Sequence, residues 1–426
     1  LTFDHVEYSD RTGANAKLLQ SILDKTTLLI MHNAQHDLMW LWASGFKYDG
    51  EIYDTMLAEY ILQRGQKQAV SLLACAERRN LTFQKDDTLK KYFKEGYNTN
   101  EIPLKELTFY LDCDLNVTAE LFHAINTEGY AKSESNGMDR VRAITCEVCK
   151  TLTRMYMRGF RVDRVALQRV REEFEQEKTG IEARLFKQIR ELMGDTPVNL
   201  NSPEQVSQVI FSRKVINKRE WVELFDFTSN LSEFRDAIAA NTTMLRKTIA
   251  FSCPTCNGIG SRYKKKKDGS NFKKSSKCQD CLARGYQLEE TNKLAGLGFN
   301  PPNKSWVSAN GFSTSKGNLD ILISTARTRS MGAAIKFLED IKRLSAVTTY
   351  LSSFVEGISN YTKEDGFLHV SLTQHITATG RFSGRNPNMQ NMPRGGTFPV
   401  KRVFVSRWKG GYILEADFAQ LEFRVA

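Results

Sequence analysis

Between residues 26 and 127, short apolar runs alternate with amphipathic stretches, and this alternation constrains the fold more than any other feature of the chain. "TTLLIM" reads as a buried strand, and "DLMWLWASGF" starts a helix shortly after it. "YDTMLAEYILQ" predicts a second helix, with Asp54 placed to cap its N-terminus. Strand and helix in turn make an α/β layer. Further on the pattern changes. From about 138 to 193 it is helical, with Gly194 as the stop. "VNLNSPEQVSQVIF" is a loop followed by a helix start, Ser202 as N-cap and Pro203 at the first helical position. A cysteine-containing stretch rich in Gly, Lys and Ser, from about 245 to 300, interrupts the helices. They resume at "NLDILISTA" and "AIKFLEDIKRLSAVTTYLSSFVEGI", and from about 366 the chain turns to short strands and glycine-rich loops.

A chain of 426 residues has room for about three domains. Its 41% hydrophobic and 26% charged residues are those of a globular protein, and no apolar run approaches the roughly 18 residues of a membrane helix. No signal peptide is visible, and the first residue is Leu1, so a piece of a longer chain, cut at both ends, is expected. The net charge of +11 is unevenly spread: between Cys253 and Tyr286, nine Lys or Arg face only Asp268 and Asp280. Such a patch suits a polyanionic partner, and charge alone fits a solvated run equally well.

Residues 103 to 125, "PLKELTFYLDCDLNVTAELFHAI", predict a helix. Leu104, Leu107, Leu111, Leu115, Thr118, Phe122 and Ile125 form its apolar stripe, Asp114 lies at the edge of that stripe, and Asp112 falls well outside it. Tyr110 precedes Asp114 by one turn on the same side. A carboxylate and a phenol so placed can bind a metal and orient a water; taken alone, the helix is better read as carrying a hydrogen-bonded structural Asp. "MHNAQHDLMWL" adds Asn33 at a strand end and Asp37 in a first helical turn, where the helix dipole favours negative charge. Two acidic positions at the end of an α/β sheet can hold divalent cations for phosphodiester cleavage.

Asn33 with Asp37, "YDTMLAEYIL", and Tyr110 with Asp114 closely resemble the second and third motifs of the 3′–5′ proofreading exonuclease of DNA polymerase I. The resemblance implies a ribonuclease H-like α/β fold, with Asp37 and Asp114 as Mg²⁺ ligands, Tyr110 beside them in catalysis and Asn33 on the DNA. That family's first motif, an Asp-x-Glu pair, should lie several tens of residues before Asn33. Only about thirty residues precede it, and Asp4 and Glu7 in "FDHVE" have the wrong spacing, so a truncated exonuclease is expected.

"CPTCNGIG" and "CQDCLARGY" supply Cys253, Cys256, Cys278 and Cys281, two C-x₂-C knuckles about twenty residues apart. That spacing fits a structural zinc ribbon; free or disulfide-paired cysteines are the alternative. The knuckles resemble the zinc-binding repeats of DnaJ chaperones, although no His-Pro-Asp motif accompanies them. With Lys264, Lys265, Lys266 and Lys267 between them, they predict a small metal-stapled module touching DNA or a partner. Cys146 and Cys149, in "CEVC", read as core packing on a helix.

"HITATGRFSGRNPNMQNMP", residues 375 to 393, offers planar donors at Arg381, Arg385, Gln390 and Asn391, suited to phosphates and minor-groove base edges. Its order resembles the T-A-T-G-R-x-S…P-N-x-Q-N-x-P block of family-A DNA polymerases, whose Arg and Gln-Asn pair contact the primer–template minor groove. In the last stretch, "YILEADFAQLEFRVA", Tyr412, Ile413, Leu414 and Ala416 predict a buried strand with Asp417 at its tip. "EADFAQLEFRVA" resembles motif A of the same family, usually D-Y-S-Q-I-E-L-R, with Phe418 and Ala419 in place of Tyr and Ser. The match implies that Asp417 is one of two palm carboxylates holding catalytic Mg²⁺. It places Gln420 and Glu422 in the nucleotide site, Glu422 screening against a ribose 2′-hydroxyl. The family's second carboxylate and its fingers helix come after motif A, so the two-metal site is expected to be incomplete and the chain alone not to extend a primer.

The expected fold is α/β, a truncated ribonuclease H-like exonuclease, plus an α-helical thumb with a small zinc ribbon and the start of an α+β palm. The expected domains are a 3′–5′ exonuclease without its first motif (1–127), a linker and thumb helices (128–212), an inserted zinc-ribbon module (213–299), further thumb helices (300–365), and the N-terminal part of a palm (366–426). This is the expected layout of a fragment of a phage replicative polymerase acting in the cytoplasm of a bacterial host, with no membrane association. Its expected partners are primer–template DNA, dNTPs, and a processivity factor or second polymerase chain. One rival reading is a DNA-binding and exonuclease subunit of a split polymerase completed by a second chain; another is a stand-alone exonuclease with DNA-binding appendages.

Overall fold

The computed structural model describes residues 13–83, 88–130, 137–226, 230–267, 271–393 and 398–425; the side chains of residues 88, 128–130, 264, 271–273 and 422 lie outside it. In chain order, the first helices and strands are α1 (Ala14–Lys25), β1 (Leu28–Met31), α2 (Ala34–Ala43), β2 (Glu51–Asp54), α3 (Thr55–Leu62), α4 (Leu72–Arg79), α5 (Thr88–Lys94) and α6 (Leu104–Ala124). α7 (Met138–Arg158), β3 (Phe160–Val162) and α8 (Arg164–Met193) follow, then α9 (Pro203–Phe211), β4 (Arg213–Val215), α10 (Leu231–Asn241) and β5 (Thr242–Met244). β6 (Arg246–Ser252), β7 (Ser261–Lys265), β8 (Asn271–Lys277) and β9 (Tyr286–Leu294) form the cysteine region, and β10 (Val307–Ser308) and β11 (Gly311–Phe312) a short hairpin. The last elements are α11 (Lys316–Thr328), α12 (Gly332–Tyr350), α13 (Gly357–Tyr361), β12 (Phe367–Leu368), β13 (Ser371–Thr373), β14 (Ser383–Arg385), β15 (Phe404–Val405) and α14 (Leu421–Val425).

These elements form two compact units, residues 1–170 with 352–426, and residues 171–351. In the first unit β1 and β2 pair in parallel, Met31 opposite Asp54. Neighbouring residues of β2 point to opposite faces, so Ile52 enters one apolar cluster and Tyr53 another. Ile52 meets Leu38, Leu57, Cys146 and Cys149; Tyr53 meets Leu72, Cys75, Val117 and Leu121. Cys146 and Cys149 are core residues, as their helical spacing predicts. The sequence "TTLLIM" does form a strand, but only Met31 of β1 is buried; Leu28 and Ile30 stay partly open because β2 is the only strand paired with β1 among the described residues. β3 is the centre strand of a second sheet, antiparallel to β12 on one side and to β15 on the other.

Local chemistry sets several helix ends. Asp54 caps α3, accepting from Met56 N at 2.9 Å and Leu57 N at 3.4 Å. Ser202 caps α9, and Gly194, at φ 76°, ends α8. The helical run expected from 138 to 193 is broken by Gly159, at φ 63°, and by β3, which needs the extended backbone that Gly159 turns into. In the second unit α11 packs on α12, and Arg343 forms a two-pronged bridge to Glu177, at 2.6 and 2.8 Å, tying α12 to α8. No helix among the described residues is long and apolar enough to cross a membrane.

Candidate nucleic-acid and metal sites

Asp54 organises the first candidate site. Besides capping α3, its carboxylate accepts from Asn33 N at 3.1 Å and Ala34 N at 2.8 Å, so it ties the turn after β1 and the start of α2 to the start of α3. It is buried, at 1% exposure; burial raises its pKa, against the pull of the four N–H donors. Asn33 follows β1 as the N-cap residue of α2 with a left-handed backbone, φ 68°; its side chain makes no cap hydrogen bond and is exposed. Asp37 lies in the first turn of α2, where solvent reaches it. Even so, the protein mass around its carboxyl raises its pKa to about 6; His36 opposes the rise and the Asp54 carboxylate adds to it. The sequence marks Asp54 only as a helix cap. Its position at the end of a strand and directly before a helix is the signal that it can serve two chain segments.

Tyr110 and Asp114 share the half-buried side of α6, the helix that packs against β1, α3 and α4. The predicted stripe is corrected here. Of the stripe, Ile125 is fully buried and Leu107, Thr118 and Phe122 partly so, but Leu104, Leu111 and Leu115 are 59%, 54% and 58% exposed, whereas Val117 and Leu121, outside it, are fully buried. The buried face runs through Tyr110, Asp114, Val117 and Leu121, rotated by about a quarter turn from the leucine stripe, so Asp114 sits within that face rather than at its edge. The reason is that α6 carries two apolar stripes, and contacts with α3, α4 and β1 select the one bearing Val117 and Leu121. Asp112 is exposed, as expected.

The 374–391 block is tied down from within and open outward. Thr373 Oγ1 donates to Ser383 O at 3.1 Å across the β13–β14 pair, and Gln374 Nε2 donates to Thr145 O of α7 at 2.9 Å. Gln390 Oε1 accepts from Gly384 N at 2.7 Å, which fixes its amide with the NH₂ group left over. A Cβ at Gly384 would press on this arrangement, 3.1 Å from Asn388 Oδ1 and 3.4 Å from Gln390 Oε1. Arg381, Arg385, Gln390 and Asn391 are all exposed. His375, partly buried, has a lowered pKa, first through desolvation and then through Arg385.

The buried strand expected over 412–416 does not form. Tyr412, Ile413 and Leu414 are 95%, 55% and 91% exposed, and Asp417 is exposed in an irregular segment ahead of α14. A strand needs a neighbour to complete its backbone bonds, and none of the described strands runs beside this one. Asp417 belongs to no group of three or more ligands among the described residues. A lone exposed carboxylate does not form a metal site. Gln420 is exposed at φ 53° just before α14, and the side chain of Glu422 lies outside the described residues.

The four cysteines, by contrast, converge. Cys253, Cys256, Cys278 and Cys281 are 0–5% exposed, and their Sγ atoms lie within 4.8 Å of one another. Cys253–Cys278 and Cys256–Cys281 are 4.0 and 3.7 Å apart, close to the edge of about 3.8 Å of a tetrahedron with Zn–S bonds near 2.3 Å. The two knuckles mirror each other: Gly260 N donates to Cys256 Sγ at 3.2 Å, and Gly285 N to Cys281 Sγ at 3.3 Å. Cys253 N reaches Gly285 O and Cys278 N reaches Gly260 O, at 2.9 and 3.0 Å. Gly260 and Gly285, at φ 78° and 80°, would each place a Cβ about 2.5 Å from a backbone oxygen of the opposite knuckle, so glycine is required at both. The four cysteines can bind a metal. β6 and β9 pair antiparallel below this cluster, and β7 and β8 make a hairpin beyond it. Lys265, Lys266 and Lys267 are exposed at the end of β7 and in the residues after it; the side chain of Lys264 lies outside the described residues.

Residues 1–129 match the family of 3′–5′ exonucleases, and residues 286–426 match DNA polymerase family A. The chain therefore carries the domain pair of a family A DNA polymerase, an exonuclease domain followed by polymerase sequence. It is 26% identical to the DNA polymerase of Bacillus phage SP01 over 434 residues, covering 98% of this chain and 40% of that protein. Over 400 residues it is 22% identical to DNA polymerase I of Chloroflexus aurantiacus, covering 92% of this chain and 32% of the relative. The exonuclease part alone is 30% identical to DNA polymerase I of Streptococcus pneumoniae over 118 residues, 27% of this chain and 12% of the relative. The chain thus spans two fifths or less of the length of these curated relatives. Among solved structures, the polymerase domain of M. smegmatis Pol1, in complex with DNA primer-template and dNTP, shares the fold with a TM-score of 0.53. The two are 17% identical, and the match covers 92% of this chain and 47% of that one.

Proposed function

We propose that this chain works in template-directed DNA synthesis with 3′–5′ proofreading, as part of a phage replicative polymerase in a bacterial host cell. The observation that carries the reading is the 374–391 block. Gln374 and the Gln390 carbonyl are committed to the fold, while Arg381, Arg385 and Asn391 are exposed and carry the planar donors that suit a duplex minor groove. Arg381, Gln390 and Asn391 are its DNA contacts. Asp417 supplies one palm carboxylate, and Gln420 and Glu422 belong to the nucleotide site.

For proofreading, Asp37 and Asp114 would hold Mg²⁺, because hard carboxylate oxygens suit it and a cation would favour the charged form of Asp37 that burial disfavours. When bound, such a cation neutralises charge on the scissile phosphate. Tyr110, one helical turn before Asp114, would orient the attacking water, and Asn33, at the start of the helix that carries Asp37, would add an exposed amide for the DNA strand. Four thiolates at tetrahedral spacing suit Zn²⁺ as a structural ion. The ion would fasten the hairpin that presents Lys264 to Lys267 to the DNA backbone.

Primer–template binding followed by fluorescence anisotropy tests the reading. Arg381→Ala should weaken binding about tenfold, the size of one good base or phosphate contact. Binding that is indifferent to both Arg381→Ala and Gln390→Ala would overturn it.

A further inference from the structure

The Thr-Ala-Thr-Gly-Arg loop does not stand on polymerase residues alone. Tyr60, in the last turn of α3, donates its hydroxyl to Thr377 O at 2.6 Å, across 317 residues of sequence. Thr377 Oγ1 in turn donates to Arg381 O, also at 2.6 Å, closing the loop onto the residue proposed to touch DNA. Tyr60 is firmly backed by its own helix. Asp54 caps its helix, Met56, Leu57 and Ala58 are buried, and Glu59, 2% exposed, is bridged by Arg78 at 2.9 Å and by Arg79. Just past α3, Gly65 turns at φ 85° so close to the loop that a Cβ there would lie 3.1 Å from Ala378 O.

We infer that Tyr60 and the Gly65 turn are positioning residues that set the height of this loop, so that the exonuclease domain holds a DNA contact of the polymerase domain in place. This rests on the proposed role of Arg381. The loop has little else to define it on that side: Ile376 and Phe382 are 50% and 39% exposed, and Ala378, Thr379 and Gly380 are exposed too. A loop with so few buried groups takes its conformation from its fixed hydrogen bonds. Removing the Tyr60 hydroxyl leaves the ring and the core untouched but frees Thr377 and, through it, Arg381. Gly65→Ala acts from the other side, forcing the loop outward.

The test is a double-mutant cycle on the whole chain, measuring primer–template affinity and thermal midpoint for Tyr60→Phe, Arg381→Ala and the pair. Tyr60→Phe should weaken affinity about threefold to tenfold, the range of one hydrogen bond, with the midpoint essentially unchanged. In the Arg381→Ala background the same substitution should have no effect, because the contact it positions is gone. Gly65→Ala should show the same dependence on Arg381. Equal weakening by Tyr60→Phe with and without Arg381, or no weakening in either, would overturn the inference while the DNA-binding role of Arg381 stands. If Arg381→Ala by itself leaves affinity unchanged, the inference loses its premise and falls; the proposed function falls as well only if Gln390→Ala is also without effect.

Discussion

Replacing Asp37 with Asn should make the protein more stable at pH 8 and have far less effect at pH 4. The folded chain raises the Asp37 carboxyl from 3.8 to about 6, mainly by desolvation, with Asp54 adding and His36 opposing. Below 3.8 the group is protonated in the folded and unfolded states alike and contributes nothing. Between 3.8 and about 6 the unfolded chain ionises first, so folding loses free energy as pH rises, and above about 6 the whole penalty is present. The displacement corresponds to roughly 3 kcal/mol, but solvent reaches Asp37 and screens it, which leaves about 1 kcal/mol. Asn keeps the shape without the charge and should recover that amount, about 2 °C in the melting midpoint of a domain this size. Urea or thermal unfolding of both proteins from pH 4 to 8 reads the effect. Magnesium added at pH 8 should stabilise the wild type and not the variant. The reasoning fails if Asp37→Asn is destabilising at pH 8, or if its effect does not change with pH.

Two predictions concern the cysteine region, and two the polymerase loop. Freshly purified, reduced protein should contain about one zinc per chain, the capacity of a single four-thiolate site, and Cys256→Ser should lower both metal content and thermal midpoint; a metal assay that finds none rejects the zinc ribbon. Changing Lys264–Lys267 together to Ser should weaken DNA binding and reduce the slope of log affinity against log salt by up to about 3 to 4; an unchanged slope assigns the run to a protein partner or to solvent. Arg381→Ala is expected to weaken primer–template binding about tenfold, and Tyr60→Phe about threefold to tenfold, the latter only while Arg381 is present.

The structural features readable in the sequence are those decided within a few residues. Asp54, Ser202 with Pro203, and Gly194 each satisfy or release backbone groups at a helix end, so their chemistry is complete in a short window. The cysteine knuckles are legible for the same reason, since each pair and its glycine close one tight turn. Leu104, Leu111 and Leu115 mislead because apolar spacing shows that α6 has apolar sides but not which side α3, α4 and β1 will cover. The run from Tyr412 to Ala416 misleads in the same way: apolar residues favour a strand, yet a strand exists only beside another one.

The same distinction explains why the exonuclease site and the polymerase loop are unequally visible before folding. Asp37, Tyr110, Asp114 and Arg381 stand out because the short motifs that hold them resemble those of known exonuclease and polymerase families. Asp54 is visible only as a cap, although two of its four bonds go to the turn that carries Asn33 and leads to Asp37. Tyr60 and Gly65 are not visible at all, because nothing local to them changes when residue 377 arrives more than three hundred positions later. Groups that do chemistry thus announce themselves in short patterns, whereas groups that hold them in place act across the fold. A rigid α3, pinned at one end by Asp54 and along its length by Glu59 with Arg78 and Arg79, lets one helix serve both: its start fixes the turn leading to Asp37, and its end fixes the loop before Arg381. A substitution that loosens α3 without touching either proposed site, such as Glu59→Gln, is on this argument the change that would disturb the proposed proofreading and primer contacts together.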